Sequence, residues 1–381
     1  MNKLIVLVEG KGEKKMKFSC NKNSLLNEIA VAQGIISSRN TMSILSNVLL
    51  EVKDGNLYIK ATDLKIGYET YIPVDMEEPG STTVYCDKLL GVLRTFPEGD
   101  VKFNLSGDKL TVDSESGDTN IQLKVIEAGN YPELIKIEDD KYFEVGQKDF
   151  IDMINSTIFA VSSDETKYFM NGVYLEREDD CIKMVSTDGR RLSFIKKDIV
   201  ITNAEFKGVI IPVKILGLIK KLASGQGNLQ IAVSDKCFFV KFDKNKLYST
   251  LIEGQFPNYK RVIPENQSYT AIIKKGDFLT ALSRVSIFAE QKAKKILFDF
   301  TEDTLTILSE ENEIGNAKVK VACEYKGDDM KIAVNYMHFL EPLKAMEEDD
   351  IAIKFSEANR AMTLVGVPEG DFFHIMMPMQ L

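Results

Sequence analysis

The sequence predicts an α+β protein made of three tandem repeats, each with two helices packed on antiparallel sheet. Three observations carry that prediction. A polar opening followed by apolar residues at helical spacing occurs three times, in "KNSLLNEIAVAQGIIS" (22–37), "QKDFIDMINSTIFAVS" (147–162) and "KGDFLTALSRVSIFAE" (275–290). Each copy is followed by a strand, a turn and a strand. The offsets are steady, with Leu26 to Ile151 spanning 125 residues, Ile151 to Leu279 spanning 128 and Leu89 to Ile215 spanning 126.

The elements follow in order. The first helix of each repeat presents an apolar stripe, expected as Phe150, Ile151, Ile154 and Ile158 in the second copy and Phe278, Leu279, Leu282 and Val285 in the third. Then come "NVLLEVKDGNLYIKATD" (47–63), "NGVYLEREDDCIKMVSTD" (171–188) and "ILFDFTEDTLTILSEE" (296–311), where apolar residues alternate around a charged or glycine-containing turn, the pattern of a β-hairpin. A second helix comes round in "CDKLLGVLRTF" (86–96), "PVKILGLIKKL" (212–222) and "VNYMHFLEPLKAM" (334–346), followed by further strands. Strands arrive in hairpins and do not alternate singly with helices, so a doubly wound parallel sheet is excluded.

The formal net charge is −9, which argues against a simple basic-patch nucleic-acid binder. Cys20, Cys86, Cys181, Cys237 and Cys323 are isolated and odd in number, so neither a structural zinc site nor a disulfide framework is expected, and reduced core thiols are. No apolar run approaches the ~18 residues of a membrane-spanning helix, and "LIVLV" (4–8) is short for a signal peptide. A cytoplasmic location is expected.

Catalytic signals are weak. The two histidines, His338 and His374, have no nucleophile or carboxylate at a recognisable spacing and read as structural. "VEGKGEKK" (8–15) fails the phosphate-loop pattern. The acidic runs "REDD" (177–180) and "EEDD" (347–350) fall at turns and helix ends, where solvated charge is normal, so a metal-dependent nuclease is the weaker reading. No cofactor or metal is expected. The second helices are instead selectively basic, with Lys88, Arg94, Lys214, Lys220, Lys221 and Lys344 against Asp87 and Glu341. In the second repeat the apolar stripe of that helix is expected as Ile215, Leu218, Ile219 and Leu222, leaving the lysines to the opposite face. One cationic face on an acidic protein suits phosphates held without sequence readout.

The repeat, together with "STDGRRLS" (186–193), "EGQFPNYKRVIP" (253–264) and "MMPMQL" (376–381), resembles the bacterial DNA polymerase sliding clamp, the β subunit of the replicative polymerase holoenzyme. The likeness covers residues 16–381, opening at "MKFSCNKNSLL" and leaving 1–15 as an extension, with clamp domains at 16–137, 141–262 and 266–381. The resemblance implies a non-catalytic processivity factor that closes as a head-to-tail homodimer around duplex and primer-template DNA, helices inside and sheets outside. It implies partners in the replicative polymerase catalytic subunit, the clamp loader and other proteins carrying a clamp-binding motif. A repeat adaptor that binds partner peptides without encircling DNA is the alternative.

The resemblance also implies site residues. The partner-peptide pocket would use Met170, Thr187, Gly189, Arg190, Arg191, Leu192, Pro257, Arg261, Val262, Ile375, Met376, Met377, Pro378, Met379 and Leu381. Methionines are flexible and polarizable, so one such pocket accepts many related peptides, and the arginines are expected to frame its floor. DNA would be faced by Arg39, Lys167, Tyr168 and Phe169 besides the helix cations, and the subunit interface would set Ile121 against Ile287 and Phe288. Gln380, Arg190 and Phe169 depart from common family residues: Arg often replaces the first, and His or Lys the second. Phe169 lacks the hydroxyl a tyrosine would bring to DNA.

Overall fold

The computed structural model describes residues 15–36, 43–199, 206–313 and 315–381, and within them one pattern recurs: a strand, a helix that begins almost at once, then three strands. The first repeat runs β1 (Lys15–Asn21), α1 (Lys22–Ile35), β2 (Asn47–Lys53), β3 (Asn56–Thr62) and β4 (Ile66–Pro73). After a short β5 (Asp75–Glu78), the pattern returns as β6 (Gly80–Tyr85), α2 (Cys86–Thr95), β7 (Asp100–Ser106), β8 (Lys109–Ser114) and β9 (Asn120–Ile126). The second repeat has β10 (Phe143–Gly146), α3 (Gln147–Thr157), β11 (Gly172–Glu178), β12 (Cys181–Thr187) and β13 (Arg191–Asp198). It continues with β14 (Val209–Pro212), α4 (Val213–Leu222), β15 (Asn228–Val233), β16 (Cys237–Phe242) and β17 (Asn245–Thr250). The third has β18 (Tyr269–Lys274), α5 (Lys275–Ser286), β19 (Lys295–Thr301), β20 (Thr304–Leu308) and β21 (Lys318–Tyr325). It closes with β22 (Met330–Asn335), α6 (Met337–Ala345), β23 (Asp350–Phe355), β24 (Met362–Val367) and β25 (Phe372–Met376).

Local chemistry explains the punctuation. At the head of α1 the Asn21 carboxamide oxygen accepts from the backbone N–H groups of Asn23 and Ser24, both at 3.1 Å. Asp54, Asp179, Asp243 and Asp303 adopt positive φ at four tight hairpin turns, and Gly55 follows Asp54 with φ +71°. Aspartate tolerates that left-handed conformation and glycine meets it without steric cost.

The helix faces differ from the periodicity in detail. In α3 the buried apolar residues are Phe150, Met153 and Ile154, while Ile151 and Ile158 are half-buried. The α-helix stops at Thr157, whose hydroxyl donates back to the Met153 carbonyl at 2.7 Å, and a 3-10 turn carries Ile158–Ala160. In α5 Ala281 joins Phe278, Leu282 and Val285 in the core, and Leu279 lies at its margin. In α4 Leu216 packs inward with Ile215 and Ile219, whereas Leu218 and Leu222 are half-buried. The lysines Lys214, Lys220 and Lys221 are exposed there as expected.

Contacts group the chain into two units, one comprising residues up to 139 with 239–250, the other 140–238 with 251–381. In the first unit the strands run β16-β17-β4-β3-β2-β6-β9-β8-β7-β1-β5, β16 entering it at Phe239. β17 pairs with β4, and Gly67 is required at that junction because a Cβ there would lie 1.9 Å from the Tyr248 ring. The buried Tyr68 hydroxyl donates to Glu28 at 2.7 Å, and Lys244 reaches the same carboxylate at 2.5 Å. Burial and the Glu28 carboxylate together hold the Tyr68 phenol well above its ordinary pKa.

In the second unit one antiparallel sheet runs β14-β11-β12-β13-β25-β24-β23-β18-β21-β20-β19-β22. β25 therefore lies between strands of the second and third repeats. Beneath the third repeat, Phe278, Phe298, Phe300, Phe339, Tyr325 and Phe355 form the heart of the core, with Phe298 and Phe339 centroids 4.9 Å apart and Phe300 and Phe355 4.6 Å apart. Phe298→Ala should leave a void there and lower the stability of this unit by about 3–5 kcal/mol, read as an earlier denaturant midpoint by circular dichroism.

Candidate functional site

The expected pocket residues, apart from Met170 at the end of the 3-10 turn Glu165–Met170, fall on three neighbouring segments of the second unit. The first is the β12–β13 turn. Thr187 donates its hydroxyl to the Arg191 carbonyl at 2.6 Å and accepts from Gly189 N–H at 3.1 Å. Asp188 Oδ1 accepts from the N–H groups of Arg190 and Arg191 at 2.9 and 3.1 Å. Gly189 has φ +89°, the left-handed conformation that favours glycine at this turn.

The second segment is β25 with the residues after it. β25 pairs with β13 in the register Arg191↔Met376, Leu192↔Ile375 and Ser193↔His374, and with β24 on its other edge. The ladder continues as Met377 N–H donates to the Arg190 carbonyl at 2.8 Å and Met379 N–H to the Ala333 carbonyl at 2.7 Å. The third segment is residues 256–263, which contain a 3-10 turn, Tyr259–Val262.

Together these segments build an apolar cluster of Val185, Leu192, Phe194, Ile210, Phe256, Tyr259 and Ile375, with Phe169, Tyr174, Ile263, Ala361 and Phe373 at its margin. Tyr174 stacks on Phe256 at 4.7 Å and Phe194 on Phe373 at 4.6 Å. The Tyr259 hydroxyl donates to Glu176 at 2.5 Å, and burial with that carboxylate raises the phenol's pKa well above the ordinary range. Over this floor, Val262 is 56% exposed, Met377 46% and Leu381 71%. Leu192, Ile375, Met376, Met170 and Thr187 are buried, while Pro257, Pro378 and Met379 are half-buried. The aromatic floor was not singled out from the sequence, although the density of aromatic residues in "QFPNY" carried a signal for Phe256 and Tyr259.

The two adjacent arginines have different roles. Arg190 is exposed, as is Arg261. Arg191 turns inward: its Nε donates to Asp188 at 2.9 Å, one terminal nitrogen pairs with Glu341 on α6, and the other donates to the Phe159 carbonyl at 2.6 Å. Its guanidinium also lies over the Phe159 ring, 5.9 Å from the centroid. Arg191 thus joins the turn, the end of α3 and α6, and it is Arg190 and Arg261 that offer open cationic groups.

Behind the pocket His374 is completely buried, its Nδ1 2.6 Å from Ser193 Oγ, its Nε2 without a hydrogen-bond partner in the described chain. Burial, then the nearby Arg191 charge, pulls its pKa well below the usual value. His338 on α6 is pulled down to about 4, first by burial and then by Arg191. A neutral, enclosed imidazole beside a serine cannot meet an external substrate, so the Ser193–His374 pair is a packing device. Among the described residues no group of three or more His, Cys, Asp or Glu side chains is placed to hold a metal ion.

The remaining expected residues lie elsewhere. Lys88 and Arg94 are exposed on α2, Lys214, Lys220 and Lys221 on α4, and Lys344 on α6. Several occupy the last turn of their helices, where cations also complement the helix dipole. Lys167 and Tyr168 are exposed, whereas Phe169 packs against the apolar cluster. Arg39 and residues 8–14 of "VEGKGEKK" lie outside the described residues. Ile121 is half-buried on β9; Ile287 is 73% exposed just after α5, with Phe288 half-buried beside it. No helix among the described residues is long and apolar enough to cross a membrane.

Comparison with known proteins matches the chain along nearly its whole length. The chain matches the DNA polymerase III beta subunit in three consecutive blocks: its N-terminal domain at 16–135, central domain at 144–258 and C-terminal domain at 260–380. It is 39% identical to the beta sliding clamp of Treponema pallidum over 369 residues, which is 96% of this chain and all of that protein. It is 32% identical to the beta sliding clamp of Borreliella burgdorferi, covering 96% of this chain and 98% of that protein. Among solved structures, a Pseudomonas aeruginosa sliding clamp bound to griselimycin superposes with TM-score 0.90 at 25% identity, covering 96% of this chain and 100% of that one. A Caulobacter crescentus beta sliding clamp, with polyethylene glycol at a "putative beta-motif tethering region", gives 0.91 at 26% identity, covering 97% and 100%.

The buried His374 and half-buried His338 set a pH dependence. Unfolding returns each to a pKa near 6.5, so stability is full above that value and falls with acidification towards the lower folded pKa. Between pH 6.5 and 5 the His338 contribution should fall by roughly 1.5 kcal/mol, and His374 acts in the same direction. His338→Asn should make that slope shallower, measured as denaturant midpoint against pH.

Proposed function

The chain belongs to the DNA polymerase III beta subunit family, the sliding clamps, and from that membership we propose how its own residues perform a clamp's non-catalytic task. Two copies close head to tail around duplex DNA, the basic helix faces turn toward the phosphates, and the β13–β25 pocket docks partner peptides. Those partners are the replicative polymerase catalytic subunit, the clamp loader and other proteins with a short apolar motif. The protein works in the cytoplasm, at replication forks on the nucleoid.

Two half-open strands carry the ring reading. β9 pairs with β8 over residues 120–124, and with β6 only through Val125 and Ile126. Among the described residues, this leaves one edge of residues 120–124 without a strand neighbour. β21 pairs with β20 over residues 318–322, whereas β18 meets it only at Cys323–Tyr325. A long open edge is a template for another strand. Joining β9 of one protomer to β21 of its partner satisfies both, and two such head-to-tail joints close a ring. Beside β21, Leu279, Thr280, Ser283, Arg284 and Ile287 line a groove of about 380 Å³ that suits an apolar contact around Ile121.

Inside such a ring, Lys88, Arg94, Lys214, Lys220, Lys221 and Lys344 meet the duplex through long, flexible, exposed side chains. Loose contact of this kind attracts phosphates without fixing a register, so topology retains the DNA while the protein slides. At the pocket, an apolar peptide side chain entering between Val262, Met377 and the Leu192–Ile375 floor is removed from water. The exposed Arg190 and Arg261 reach its carbonyl groups.

Ile121→Asp should place a charge in the joint and shift the chain from dimer to monomer in light scattering, with loss of retention on closed circular DNA after loading. A variant that stays dimeric would refute the placement of the joint. Removing residues 377–381 should leave the dimer intact but weaken binding of an apolar clamp-motif peptide at least tenfold, because such sites depend on a few buried anchors. Unchanged affinity in a fluorescence titration would refute the pocket.

A further inference from the structure

We infer that a cavity beneath residues 263–267 is a second subsite of the docking surface, taking the stem and charged head of a lysine or arginine that flanks the apolar anchor of a partner peptide. This rests on the docking reading above.

The cavity is about 300 Å³, room for one long side chain, and it adjoins the apolar floor. Phe373 lines it, and Phe373 and Ile375 are two residues apart on β25, hence on one face. Thr363 also lines it and stands directly opposite Ile375 in the β24–β25 ladder. Ile263 forms part of its wall and follows Val262, whose exposed side chain is offered to the anchor. A peptide held over Ile375 therefore has its neighbouring residue within reach of this cavity.

The wall is fixed in advance. The Gln267 carboxamide nitrogen donates to the carbonyls of Lys354 and Ala361, both at 2.9 Å, and so pins the segment over the sheet. A ligand need not open the cavity in order to enter.

The lining selects the chemistry. Phe373, Val365, Ile263 and Pro264 are apolar and suit a methylene stem. The rim carries two carboxylates, Glu265 and Glu369, against one ammonium, Lys354, which is paired with Glu369 at 2.5 Å. The balance is negative, which disfavours an acidic side chain and favours a cation. The Thr363 hydroxyl oxygen is buried and has no partner in the described chain, while the residue is 9% exposed. A wholly apolar occupant would leave that hydroxyl unpaired in a dry site, whereas a peptide N–H or an ammonium group can satisfy it.

The test is a fluorescence-anisotropy titration of the full chain with peptides of one apolar anchor sequence, carrying lysine or glutamine immediately before or immediately after the anchor. At one of the two positions lysine should bind about threefold more tightly than glutamine, the scale of a solvent-facing ion pair, and raised salt should diminish the advantage. Glu265→Gln with Glu369→Gln should abolish it. Lys354→Gln, which releases Glu369, should enlarge it. An equal lysine advantage on the double variant, or none at either position, overturns the second subsite while the docking site stands. Failure of every peptide to bind the unaltered protein overturns the docking reading and this inference with it.

Discussion

The second unit is organised around the Arg191 guanidinium. Its side chain is 11% exposed, and its donors are divided among Asp188, Glu341 and the Phe159 carbonyl, which belong to a hairpin turn, a helix of the third repeat and the end of a helix of the second. A lysine could not reproduce this, because its ammonium lacks the planar fork that serves several partners at once. The backbone of the same residue is a rung of the β13–β25 ladder, opposite Met376. Side chain and main chain therefore fix the same joint by independent means. The turn that exposes Arg190 is held from behind by the residue next to it.

The rest of the proposed docking surface follows from that joint. β25 is hydrogen-bonded on both edges, so its side chains alternate between two defined environments: Phe373 and Ile375 meet the aromatic floor, while His374 is enclosed beside Ser193 and Phe159. A flexible methionine segment becomes a useful recognition surface only when its backbone is so constrained. The protein thereby separates two kinds of contact. In the proposed reading apolar anchoring is confined to a small, preformed surface, and cationic groups lie on exposed helix faces of a chain whose net charge is −9. Sliding calls for the second kind to be loose, and tethering calls for the first to be firm.

Much of the fold was legible in the sequence because its local rules repeat. Period-two hairpins with Asp or Gly at the turn, and helices opening directly from strands, recur often enough that one copy corrects another. The inward faces were less legible. Leu218 and Leu222 have the right spacing for the α4 stripe, yet Leu216 packs inward in their place. Ile151 and Ile158 likewise yield to Met153. Spacing gives the angular separation of residues around a helix, but the neighbouring sheet decides which arc is covered. At the site, the "TDGRR" turn and the methionine segment could be recognised as motifs. The division of labour between Arg190 and Arg191 could not, because Glu341 is 150 residues from Arg191 in sequence. The Ser193–His374 pair, 181 residues apart, was hidden for the same reason.

The position of β25 also has a mechanical meaning. A partner tethered to a clamp and moving along a template pulls on the residues it grips, and in the docking site proposed above these include Met377 and its neighbours. That pull enters a strand flanked by β13 on one side and β24 on the other, and further anchored through Met377 to Arg190 and through Met379 to Ala333. A load along the strand axis acts in shear, so many hydrogen bonds share it at once and do not open one by one as in an unzipped hairpin. The load then spreads into a twelve-stranded sheet. A peptide contact made by a few side chains, as proposed above, is held by fewer bonds than the strand beneath it, so under load it is the joint expected to part first.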